Sequence, residues 1–385
     1  MIKRHCLNEG LTQFVTYTTD NGIDEGFLIL RTQPYLPLND ALKSLSLEYN
    51  NLLLRKEFTG FAPIYTRFFL SDVENQYQEV CRSDIYNNLS AGSVRMTGKE
   101  PLDSAKVSIV SHFLKTDKEH LSRIDNNYPN SLAFRGQNYG MYFYADCGSS
   151  ESNDPGEQTA IILNKLEKSY SDIEGKKDLI RTWVSVRDID NNYIPFVVKR
   201  KDFFELISMD RYYPASTGVE GRSWDPKRLV VLDALIYSGL DDDQIVKMEA
   251  VDNMPSTISY GVTFERGLKV EFGDRTHYHL SGTASIDING KVIHIGDIHK
   301  QVEQALANFK ALLNNSGLSF ADLMYLVFYV RDAKCTEEIR NIADKILPAD
   351  IPRVYVRSSI CRPQWLMELD GIAIGKGNMQ YNPFK

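Results

Sequence analysis

The chain has 385 residues, 43% of them hydrophobic and 25% charged, with a formal net charge of −7. Such a make-up belongs to an ordinary soluble protein, long enough for one large domain or two to three modules. The acidic balance, with no basic run interleaved with aromatics, argues against a nucleic-acid partner, and no stretch approaches the roughly 18 apolar residues of a membrane span. The opening "MIKRHCLNEG" has no apolar run behind its basic residues, so neither export nor a membrane anchor is expected. Five cysteines, an odd number with no CxxC pair, argue against disulfide and zinc frameworks and for a reducing cytoplasm.

In chain order, "EGFLILRTQP" (25–34) reads as a strand, "DALKSLSLEYNNLLL" (40–54) as a helix, and "IYTRFFLSD" (64–72) and "AKVSIVSHFL" (105–114) as strands. The segment 118–130, rich in Asp and Asn, reads as a linker. A second set follows: a helix over "EQTAIILNKLEKSYSDI" (157–173), the strand "DLIRTWVSVRD" (178–188) and a last strand "VVLDALIYSG" (230–239). After a second linker, 240–258, comes a third: a helix over "DIHKQVEQALANFKALLNNSG" (297–317), the strand "DLMYLVFYVRD" (322–332) and a last strand "MELDGIAIG" (367–375). Shared "VRD" and "LD" landmarks make the second and third sets copies of each other, and the first is a weaker copy. Asp72, Asp188 and Asp332 fall at equivalent strand ends.

Aligning the last strands singles out one residue. Asp233 matches Asp370, whereas Val231 stands where Glu368 stands. In a strand Glu368 and Asp370 share a face with Leu366 and Ile372, and an unpaired buried carboxylate is costly. The aspartate therefore belongs to the scaffold. A glutamate that one copy replaces with valine is not a folding requirement, and it becomes the candidate catalytic group.

The C-terminal copy resembles the Rid (reactive intermediate deaminase) family, carried by "QVEQALANFKALLNNSG", "DLMYLVFYVRD" and "IPRVYVRSSICRPQWLMELDGIAIG". The longer chain resembles the chorismatase family, through "RTW" (181–183), "YPASTGVEG" (213–221), "YG" (260–261) with "FERG" (264–267), "SGTASI" (281–286), and "ICR" (360–362) followed by Glu368. The resemblance implies an α+β fold of two or three Rid-like (chorismate mutase-like) units in one chain, each a mixed sheet with helices on one face. Units are expected at 1–125, 131–239 and 259–385, the last with the main site and the whole a monomer imitating a trimer.

The activity implied is cofactor-free cleavage of the enolpyruvyl ether of chorismate, giving pyruvate and 3-hydroxybenzoate or a dihydroxycyclohexadiene carboxylate. A Rid-type imine or enamine deaminase and a non-catalytic metabolite-binding module are the alternatives. A dianionic substrate calls for guanidinium forks, assigned to Arg181, Arg353 and Arg362. The structural alternatives are a stacked pair with Trp183 for Arg181, an ordinary salt bridge for Arg353 and a solvent-facing side chain for Arg362. Tyr260 is a candidate hydrogen-bond donor and Ser281 borders Gly282, where a β-bulge is the simpler explanation. Cys361 is read as a pocket wall, since no His stands near it. In chorismatases the residues at Cys361 and Ala284 shape the product: Cys361 resembles the 3-hydroxybenzoate-forming branch and Ala284 the hydrolytic one. "HYH" (277–279) puts two imidazoles on one strand face, but no acid nearby completes a metal site, and no metal is expected.

Overall fold

The computed structural model describes residues 1–124, 127–257 and 261–385. Three six-stranded sheets hold it together. The first comprises β1 (Ile2–Leu7), β2 (Thr12–Tyr17), β3 (Glu25–Leu30), β4 (Phe61–Leu70), β5 (Ser93–Gly98) and β6 (Val107–Lys115). The second comprises β7 (Leu121–Arg123), β8 (Leu132–Arg135), β9 (Gly140–Gly148), β10 (Lys177–Val186), β11 (Ala215–Glu220) and β12 (Val230–Ser238). The third comprises β13 (Ile245–Lys247), β14 (Gly267–Glu271), β15 (Arg275–Ala284), β16 (Leu323–Val330), β17 (Arg353–Arg357) and β18 (Met367–Lys376).

The strand orders are β1-β2-β3-β6-β4-β5, β7-β8-β9-β12-β10-β11 and β13-β14-β15-β18-β16-β17. Adding six to a strand's number gives its equivalent in the next sheet, so the topology repeats three times and the weak N-terminal copy is a full one. In each sheet the edge pair is parallel, β4 with β5, β10 with β11, β16 with β17. The short strands β7 and β13 arise in segments that composition marks as linkers, since Asp- and Asn-rich chain still pairs when a sheet edge lies beside it.

Helices cover one face of each sheet. They are α1 (Leu38–Leu53), α2 (Val73–Cys81) and α3 (Asp84–Leu89) on the first, α4 (Pro155–Ser171) and α5 (Ile189–Leu206) on the second, and α6 (Ile298–Asn315) and α7 (Thr336–Ile346) on the third. Three apolar cores lie beneath them. Asp72 caps α2, Asp188 stands at the start of α5 with φ +51°, and Asp332 caps the short turn at 333–335, so the "D" landmark marks where each strand hands over to helical chain.

The opposite faces pack on one another along a central axis, joining residues such as Phe69, Val327 and Ile372 of the first and third sheets and Tyr65, Trp183 and Tyr237 around the second. No helix among the described residues is long and apolar enough to cross a membrane.

Candidate active site

Strand alternation sends Met367 and Leu369 into the helix-side core and Glu368, Asp370 and Ile372 toward the axis. Glu368 pairs with Tyr329, Val231 with Ser185 and Ser108 with Phe69, each partner lying three positions before Asp332, Asp188 and Asp72 respectively. The register therefore makes Glu368, Val231 and Ser108 equivalent, and likewise Asp370, Asp233 and Val110. One of the three positions carries a carboxylic acid.

The two matched aspartates are structural, by different partners. Asp370 Oδ2 accepts from Arg181 Nη2 at 3.0 Å, Thr217 Oγ1 at 2.8 Å and Tyr329 OH at 3.1 Å. Asp233 accepts from Tyr65 OH at 2.8 Å and from the backbone N–H of Asp146 at 2.7 Å.

Glu368 is 5% exposed. Its carboxyl sits against Gly282, where β15 slips register against β18, so the expected bulge is present. A Cβ at position 282 would collide with Glu368 Oε1, so the glycine makes room for the acid. Burial pushes the Glu368 carboxyl up, the Asp370 charge adds to this, Arg181 and Arg266 oppose it, and the result is about 8. At neutral pH Glu368 holds its proton.

A cavity of about 130 Å³ opens beside this acid, between the second and third units. Edge strand β11 contributes Ser216 and Gly218, and α5 contributes Tyr193 and Arg200. The chain before β14 contributes Phe264 and Arg266, and the turn before β18 contributes Cys361, Arg362 and Trp365. Arg200 is buried; its Nε donates to Thr263 Oγ1 at 2.9 Å and its guanidinium lies over Phe196 at 4.8 Å. Burial lowers Arg266 to about 10 against the pull of Glu368 and Glu265, which places a second buried cation beside the acid.

Of the residues singled out in the sequence, Glu368, Cys361, Arg362 and Ala284 line this cavity. Ala284 pairs directly with Glu368 across the strands. Arg362 is half-buried, donating to Gly290 O at 2.9 Å and lying over Trp365 at 5.0 Å. The Cys361 thiol hydrogen-bonds Tyr193 and burial raises it to about 12, so it is a neutral wall rather than a nucleophile.

Three assignments change. Arg181 is 1% exposed, committed to Asp370 and Thr217 and stacked on Trp183 at 4.9 Å, so it braces the acid from behind instead of forming a substrate fork. Arg353 pairs in register with Leu326, a helix-side core residue, and cross-strand partners share a face; its guanidinium therefore meets Asp344 on α7 at 3.3 Å, outside the cavity. Ser281 bridges the units, accepting from the Ser216 N–H at 2.8 Å and donating to Glu265 O at 2.6 Å. Tyr260 lies outside the described residues. His277 and His279 do share a face, but an acid from another unit reaches the first of them: Glu25 Oε1 lies 2.5 Å from His277 Nε2, and Arg275 also binds it. The cavity cations Arg200 and Arg266 were missed. "FERG" was the one signal for Arg266, while nothing local marks Arg200.

The endoribonuclease L-PSP family model matches residues 272–375. The chain is 28% identical over 96 residues to the 3-aminoacrylate deaminase RutC of Acinetobacter baylyi, covering 25% of this chain and 76% of that protein. It is 27% identical over 104 residues to a 3-hydroxybenzoate synthase of Streptomyces hygroscopicus, a match that takes in 25% of this chain and 30% of the synthase. A crystal structure of a chorismatase superposes with a TM-score of 0.62 at 17% identity, over 81% of this chain and 93% of that one. The chain thus has the chorismatase fold, three Rid-like units in one polypeptide, with the third unit matching the endoribonuclease L-PSP family model.

Proposed function

We propose that the chain is a chorismatase-type enzyme, in which Glu368 protonates the terminal methylene of an enolpyruvyl ether. The observation that carries this is a buried glutamic acid, protonated near neutrality, facing a cavity that holds two buried arginines. An enolpyruvyl group carries its carboxylate next to the alkene, so Arg266 or Arg200 can hold the anion while Glu368 faces the carbon that takes the proton. Protonation there creates an oxocarbenium ion. Addition of water gives a hemiketal, whose collapse releases pyruvate and the ring alcohol; in the other branch the neighbouring ring hydroxyl attacks the ether-bearing ring carbon as its C–O bond breaks, so that pyruvate leaves, the hydroxyl proton is lost and the resulting epoxide isomerises to 3-hydroxybenzoate. Ionised Glu368 then recovers its proton from solvent. The scheme uses no cofactor.

A second reading is favoured by the size of the cavity. At about 130 Å³ it is smaller than the roughly 300–1,000 Å³ usual for ligand pockets, which suits a three-carbon acid. A Rid-type enamine deamination uses the same acid, because an aminoacrylate is also a carboxylated alkene protonated at carbon before hydrolysis. Incubating the purified protein separately with chorismate and with freshly generated aminoacrylate, and reading pyruvate, ammonia and the aromatic or dihydrodiol product, separates the readings. Pyruvate with a ring product supports the first, accelerated ammonia release alone the second. Turnover of neither leaves a non-catalytic binding module.

A further inference from the structure

On the central axis, on the other side of β11 residue Thr217 from the Glu368 cavity, lies a second space of about 20 Å³, enough for one water-sized particle. Three cationic side chains of the first unit line it: Arg67 on β4, Arg95 on β5 and Lys99 just after β5. They are 3%, 2% and 5% exposed. Arg67 donates to the hydroxyls of Tyr325 at 3.3 Å and Tyr329 at 3.5 Å, and Lys99 Nζ to Ser185 Oγ at 2.7 Å and Thr97 Oγ1 at 3.3 Å. Neither has an ion-pair partner among the described residues. Arg95 is paired with Asp146 through Nη1, at 3.1 Å, while its Nε and Nη2 are buried with no partner.

One acid lines the same space, Asp233, and burial holds its carboxyl above the usual range while Tyr65 and a backbone N–H occupy its oxygens. The next acid, Asp370, also acts on Lys99 and Arg67 but is ion-paired with Arg181, so the buried cations outnumber the acids that face them; such uncompensated charge is costly, and a water molecule cannot balance it. We infer that this axial cavity binds a small monovalent anion of halide size, held between Lys99, Arg95 and Arg67.

Lys99 makes the site responsive to pH. Burial and the neighbouring charges of Arg95 on β5 and Arg67 on β4 lower its ammonium to about 7, opposed by Asp233 on β12 and Asp370 on β18. A bound anion favours the charged lysine, so affinity should rise as pH falls through that value. Gly98 lies between Thr97 and Lys99 and lines the open polar cleft of about 520 Å³ at the strand ends, a cleft of mixed charge to which Arg222, Arg357, Glu100 and Glu220 all contribute, so solvent comes within one residue of Lys99.

The test uses the whole protein in sodium bromide. Anomalous diffraction at the bromine edge should show a peak between Lys99 and the Arg95 guanidinium. At equal ionic strength, the melting temperature in bromide or chloride should exceed that in gluconate by a few degrees, more at about pH 6 than at about pH 8. Lys99→Met should lose that halide dependence and Lys99→Arg should keep it. Wild-type crystals with no bromide in the cavity, or equal melting in halide and gluconate, would overturn the assignment; the wild-type arms decide it even if Lys99→Met fails to fold.

Discussion

Glu368→Gln should make the protein more stable while stopping its chemistry. The folded state holds the Glu368 proton up to about pH 8, whereas the unfolded chain releases it near the ordinary value of 4.5. Below about pH 4.5 both states are protonated and the stability contribution is unchanged. Between the two values the folded state binds more protons than the unfolded one, so stability falls as pH rises. At about pH 7 the gap above 4.5 is about 2.5 pH units, which at about 1.4 kcal/mol each amounts to about 3 kcal/mol of lost stability. Glutamine is neutral in both states and avoids this cost. Urea unfolding of parent and variant from about pH 4 to pH 8.5 should therefore show curves that meet at the acid end and separate by about 3 kcal/mol near neutrality, with turnover down about two to four orders of magnitude. A variant that is equally stable at neutral pH, or offset by the same amount at every pH, would refute the claim that Glu368 is buried as a neutral acid.

Other changes probe the rest of the site. Arg266→Met should lower kcat/KM for a carboxylated alkene by about 30-fold or more, the loss of about 2 kcal/mol for a charged hydrogen bond, whereas Arg353→Ala should leave steady-state kinetics unchanged because its partner is Asp344. Gly282→Ala should fold by circular dichroism yet lose most activity, since the new methyl group displaces the Glu368 carboxyl. Ser281→Ala should cost about 1–3 kcal/mol in urea unfolding by leaving the buried Ser216 N–H unpaired, with a smaller effect on KM. Light scattering should give a mass near 43.9 kDa, one chain per particle, if the three units imitate a trimer alone.

The repeat was legible because strands that hand over to helical chain keep an aspartate at the junction. "VRD" survives in two copies for that local reason, and "SD" in the first. The contrast between Val231 and Glu368 was legible too, since each stands two residues before the aspartate of a shared "LD" landmark, and the strand register gives the same equivalence. What the sequence could not give was the partner across a unit boundary. Arg353 and Arg181 stand in strands and look alike on paper, but one shares a face with Leu326 and the other with the axis. Arg200 comes from a helix that contains Pro195, in a unit other than the one that holds Glu368, so no spacing connects the two. Glu25 likewise reaches His277 from the first unit, which is why the imidazole pair looked unaccompanied.

The most direct test of Glu368 as proton donor is the pH dependence of kcat/KM for pyruvate release from chorismate, followed through lactate dehydrogenase. A carboxylic acid that must be protonated gives a plateau at lower pH and a fall of about tenfold per pH unit above about 8. A rate that instead rises with pH through that range would mean that the ionised carboxylate is the working form, and would contradict the account.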